Sequence, residues 1–172
     1  MKNLFLFLVS LSFTLAAWSG EDISHFRDNF AKIKDYKSAE LFLDTEVTES
    51  NYQYAVTINS YKAVCKMMMA QYVYNPFSKY SWFNEGKDML EKTISLNKNV
   101  ENVYLRLVVQ LNVPSFLSYT TDIESDVKFI LDNLEKSSVP DNTKTYILKS
   151  LADTEKKQVK SLLPLAKKYK AI

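Results

Sequence analysis

Hydrophobic residues recur at helical spacing along most of this chain. Ile23, Phe26, Phe30 and Ile33 are spaced 3, 4 and 3 apart, which puts them on one face of a helix. Asp22 stands before them as an N-cap, a carboxylate placed to accept from the first free backbone N–H groups. A short second helix is predicted over 38–47, carrying Leu41 and Phe42. The clearest long helix is predicted over 52–74. There Tyr54, Ile58, Tyr61, Cys65, Met68 and Tyr72 recur at spacings of 4, 3, 4, 3 and 4, and Met67 and Met69 widen the stripe. Such a methionine cluster either fills a core or forms an adaptable binding groove. Asn75-Pro76 ends this helix, because the residue before proline is pushed out of the helical region. The next helix is predicted over 78–96, with Trp82, Gly86, Met89, Leu90 and Thr93 on one face. Glycine inside a helix costs about 1 kcal/mol relative to alanine, and close approach of a neighbouring helix is a structural reason for it.

After the polar turn Asn97-Lys98-Asn99, the pattern becomes ambiguous. Val103, Leu105, Leu107, Val109, Leu111 and Val113 alternate with other residues, as in a strand. As a helix the same stretch buries Val100, Tyr104, Leu107, Val108 and Leu111. A strand needs a partner and no second alternating run exists, so 100–113 is read as a helix. Being apolar nearly all round, it belongs at the centre. Pro114 stops it, and a loop or single turn follows with Phe116, Leu117 and Tyr119 folded inward. Thr121 and Glu124 have capping-box spacing. They introduce a helix with Ile123, Val127, Ile130, Leu131 and Leu134 on its face. A turn over 137–142 leads to a helix holding Tyr146, Ile147 and Leu151. Val159, Leu162, Leu163 and Ala166 form the last, which Pro164 should kink.

Composition agrees with an all-α chain of about seven helices in antiparallel hairpins. Two glycines and four prolines in 172 residues are too few for the turns of a sheet protein. Residues 1–19 read as a secretory signal peptide: Lys2 gives the positive start, an apolar run follows over 4–15, and small residues come next. Residues 20–172 are then one exported helical domain, periplasmic or secreted, with no transmembrane segment after cleavage. The single cysteine, Cys65, excludes an internal disulfide and reads as a small core residue. A net charge of +2 gives no reason to expect nucleic-acid binding. The tail is more basic, with eight lysines against three acidic residues after position 138, and reads as a solvated face.

Gly86, Leu90 and Thr93 have the small-xxx-bulky-xx-small spacing of a repeat helix, and S-L-N-K-N and a new helix follow. This resembles the second helix and turn of a tetratricopeptide repeat. Lys98 stands where that motif prefers proline. The likeness covers about one repeat, 80–110, and no period of about 34 residues recurs elsewhere. The chain also resembles, loosely, small exported bacterial helical proteins. The resemblance implies stacked helical hairpins, which mostly bind peptides and proteins.

The residues offer little for catalysis. His25 is the only histidine, so no triad or histidine-rich metal site can be assembled around it with a second. There is no phosphate-cradling glycine loop and no H-E-x-x-H or C-x-x-C pattern. No catalytic residue, metal ligand or cofactor is assigned. Arg106 stands out because lysines outnumber arginines twenty to two. Arg106 and Gln110 are four apart and share a helix face. In one reading Arg106 forms a buried ion pair fixing the helix stack, with Glu101 or Glu85 as partner. In the other it holds a ligand carboxylate in a groove rimmed by Trp82, Tyr80 or Tyr119. The function expected is a non-enzymatic protein- or peptide-binding or scaffolding module of the cell envelope. A small-ligand binder using Arg106 is the alternative, and an enzyme is the weakest reading.

Overall fold

Three asparagines, Asn51, Asn75 and Asn99, start three consecutive helices, Tyr52–Tyr72, Pro76–Leu96 and Val100–Asn112. The side chain of each accepts backbone N–H groups of the first turn it precedes, the local reason these helices begin where they do. The structure, a computed structural model, describes residues 23–154 and 156–172. The expected leader at 1–19, the Asp22 cap and Glu155 lie outside them. The described residues form eight α-helices and no strand. They are α1 Ile23–Phe30, α2 Tyr36–Asp44, α3 Tyr52–Tyr72, α4 Pro76–Leu96, α5 Val100–Asn112, α6 Ile123–Asn133, α7 Asp141–Asp153 and α8 Leu163–Lys168. Tight 3-10 turns occupy Ser115–Leu117 and Lys157–Leu162. No described helix is long and apolar enough to cross a membrane.

α3 and α4 form an antiparallel hairpin. Four links run in opposite order along the two helices: Gln53 with Asn97, Ser60 with Thr93, Lys66 with Glu85, and Ala70 with Lys79. Gly86 lies at the closest approach. A Cβ on it would sit 2.5 Å from the Ala63 carbonyl oxygen and 2.6 Å from Met67 Cγ, so glycine is what lets the axes come this near. α3 has buried residues on every side, from Val56 and Ile58 to Ala63, Cys65 and Met67, and is therefore an interior helix.

α5 is the second interior helix, with eleven of its thirteen residues buried. The alternating pattern is thus a helix with almost no solvent face, and burial on all sides erases the helical period. α6 packs antiparallel to it, with Arg106 on Asp126, Gln110 on Asp122 and Lys98 over the Phe129 ring. Tyr104 reaches α7 through Ser150, 2.9 Å away. α1 is tied in by Arg27 on Glu101 and by Phe26 and Phe30 against Phe42 of α2.

Several local expectations change. α2 starts at Tyr36, capped by a reciprocal Asp35–Ser38 box, and Leu41 is 61% exposed while Ala39 and Phe42 are buried. α4 starts at Pro76, two residues early, because proline suits a first helical position whose N–H has no partner anyway. The Thr121–Glu124 box does not form. Asp122 occupies the cap position without capping, its carboxylate taken by Gln110 and Thr121. Phe116 points outward, 81% exposed, whereas Tyr119 is buried. Leu131 and Tyr146 lie on the outer sides of their helices. Pro164 is the second residue of α8, in its first turn after the 3-10 turn, so it kinks nothing.

Candidate functional site

The close α3–α4 contact at Gly86 gives way, toward the Asn75 end of the hairpin, to an open groove. Val64, Met67 and Met68 of α3 form one wall, and Tyr80 and Phe83 of α4 another. Val108, Val109 and Val113 at the end of α5, with Phe116 and Leu117 of the 3-10 turn, complete it. Its volume is about 690 Å³. Pro114 positions the aromatic rim: it ends α5 and turns the chain so that Phe116 stands out beside Tyr80, itself 61% exposed. Phe83 is held from behind by Tyr119, ring centroids 6.1 Å apart and edge to face. Lys79 is the only charged residue among the described residues lining the groove, and its ammonium donates to the Ala70 carbonyl at 3.1 Å. Nearby, Tyr74 of the α3–α4 connection and Phe77 in the first turn of α4 are 99% and 86% exposed. Exposed aromatic side chains thus lie in and beside one apolar concavity.

Arg106 lies elsewhere, inside an ion cluster. Its Nε and Nη2 donate to the two oxygens of Asp126 at 2.8 and 2.6 Å, and Nη1 donates to Glu91 at 2.8 Å. The Arg106 side chain is 8% exposed and that of Asp126 is 0%. Tyr119 donates to Glu91 at 2.5 Å, and Asp122 lies 3.9 Å from the guanidinium. Burial pulls the Arg106 pKa down, but the hydrogen bond to Asp126 and the charges of Asp126, Glu91 and Asp122 more than offset it, so the guanidinium stays protonated. Burial raises the Asp126 pKa from its ordinary value, and Arg106 opposes this only in part.

The structure therefore brings Arg106, Gln110 and Tyr119 together, puts Tyr80 on the groove and separates Trp82 from both. Trp82 lies near α2, with the Lys66 ammonium 5.4 Å from its ring. Neither expected carboxylate meets Arg106. Glu101 is five residues back, about 140° round the helix, and binds Arg27 and Tyr61 at 2.6 Å. Glu85 binds Lys66 and Ser81. Sequence reasoning missed Phe116 and the α5 valines as groove residues, although the Met67–Met69 cluster was a signal for the wall they face.

Other chemistry is muted. Cys65 is fully buried, its sulfur 3.5 Å from the Ala39 carbonyl, and burial pushes its pKa up to about 12. His25 is exposed and lies beside the Asn29 amide. Among the described residues no group of His, Cys, Asp and Glu is arranged to hold a metal ion. Comparison of the chain with protein-family models, curated proteins and solved structures gives no match.

Proposed function

We propose that this chain is a non-enzymatic binding module of the cell envelope, and that its groove takes an apolar stretch of a protein partner. The observation that carries this reading is the groove itself: open, about 690 Å³, lined by Met67, Met68, Phe83 and valines, with no acidic residue among the described lining residues. Methionine side chains adapt to differing apolar partners, and exposed Phe116 and Tyr80 are aromatic anchors of the kind that dominate binding energy at interfaces. The apolar run at 4–15 supports export, and the α3–α4 hairpin closed at Gly86 supports the tetratricopeptide-like element of the reading. Arg106, with all three kinds of guanidinium nitrogen already on carboxylates, serves better as a tie between α5 and α6 than as a ligand hook.

Photocrosslinking tests this. A photoreactive phenylalanine analogue replaces Phe116 in one form of the exported protein and Leu41, exposed but distant from the groove, in another. A discrete protein adduct from position 116 and none from 41 is the expected result. Adding Met68→Glu in the groove should abolish the adduct without preventing folding. Equal labelling from both positions, or an adduct indifferent to Met68→Glu, overturns the reading.

A further inference from the structure

A second concavity opens at the other end of α5, between that helix, the end of α6 and the loop before α7. It encloses about 330 Å³ and differs in character from the apolar groove. Its charged residues are Arg27, Glu101, Lys98 and Lys136. Glu101 is already satisfied: Arg27 donates to both its oxygens at 2.6 and 2.7 Å, and the Tyr61 hydroxyl donates at 2.6 Å. Lys98 and Lys136 are left. Neither has an ion-pair partner among the described residues; Asp132 pairs with Lys128, Glu135 with Lys168 and Asp141 with Lys144. Lys98 does feel Asp122 and Asp126 along the α5–α6 seam, but both of those already face Arg106. The Lys98 ammonium is held 4.9 Å from the Phe129 ring centroid, which fixes its direction. Gln53 and Ser138 add an amide and a hydroxyl whose side chains make no hydrogen bond among the described residues.

Lys98 and Lys136 beside the satisfied Arg27–Glu101 pair, with the exposed Gln53 amide and Ser138 hydroxyl next to them, leave the described cleft lining net positive. Its volume is at the small end of ligand pockets, which run from about 300 to 1,000 Å³. That suits a molecule of about one sugar ring. We propose that this cleft binds a small organic anion, its carboxylate or phosphate held by Lys98 and Lys136 and its polar body by Gln53 and Ser138. The proposal is independent of the groove and of what the groove binds.

The probes are glucose 6-phosphate, glucuronate, glucose and inorganic phosphate. Each is titrated into the ¹⁵N-labelled protein and into its Lys98→Gln/Lys136→Gln variant. Expected are saturable shifts of cleft amides with the two charged sugars, and binding of glucose weaker by at least about tenfold, the scale of one charge-assisted hydrogen bond. The double variant should lose at least as much while keeping its melting temperature. Lys136→Gln alone, on an exposed side chain, should weaken binding with no effect on folding. Shifts absent at millimolar probe, glucose binding as well as its phosphate, or binding unchanged in both variants would overturn the proposal. Inorganic phosphate binding as tightly as glucose 6-phosphate would overturn the assignment of an organic ligand.

Discussion

Gly86 shows how far a single position can be read from its letter. Its presence within a helix predicted a close neighbour, and α3 is that neighbour. Helix propensity alone would make Gly86→Ala slightly stabilising. The contact reverses the sign. A methyl group would press on the Ala63 carbonyl at 2.5 Å, a backbone atom that cannot swing aside as Met67 can. Gly86→Ala should cost about 1–3 kcal/mol, with each kcal/mol lowering the melting temperature by about 2–4 °C in a chain of this size. A melting temperature at or above wild type would mean the helices can part without loss. Arg106 was singled out by rarity, but its partners were hidden, because Asp122 and Asp126 sit on a helix whose register only the fold supplies. Arg106→Met leaves Asp126, 0% exposed, without its counter-charge, a loss of about 3–5 kcal/mol. The sign of its pH dependence follows. Asp126 already has a raised pKa in the fold through burial, so the folded form binds the proton more tightly than the unfolded chain and this group's contribution weakens as pH rises. Removing Arg106 removes the opposing influence and raises that pKa further. The stability gap between variant and wild type, measured by denaturant titration, should therefore narrow as pH falls from about 7 to 5. A constant gap would place the loss in packing instead.

At the scale of elements, period and punctuation were readable where a helix has a solvent side or a capping side chain of its own. α4 and α5 were placed within two residues because Asn75-Pro76 and Asn97-Lys98-Asn99 mark their starts. Leu131 was placed on the packing face of its helix but lies outward, because a short helix offers too few turns to fix its phase. The capping box before α6 failed for a different reason. Asp122 was drawn into the Arg106 cluster, and tertiary electrostatics outweighed a local cap worth about 1 kcal/mol. By contrast Asn75 has no such competitor: its side chain accepts from Phe77 N–H at 2.8 Å. Asn75→Ala should lower stability by about 1 kcal/mol and leave the helical circular dichroism of the folded protein unchanged. No loss would show that proline alone sets the start of α4.

Across the whole molecule, the helical class was legible because scarce glycine and proline leave few alternatives. The groove was not, since it needs the end of α5 and the Phe116 turn brought against α3 and α4 from 25 or more residues away (Phe83 to Val108, 108 − 83 = 25). That same difference in chain separation has a kinetic side. The α3–α4 hairpin closes across the short connection Val73–Asn75, so its contacts require little loop closure. The Arg27–Glu101 pair must bring together groups 74 residues apart. Short-range contacts form early and long-range ones late when loop entropy sets the order. Gly86→Ala should then mainly slow refolding, whereas Arg27→Met should mainly quicken unfolding, as the two arms of a denaturant rate plot would separate. The notch that lets two helices touch is, in time, the point from which the rest of the chain is gathered.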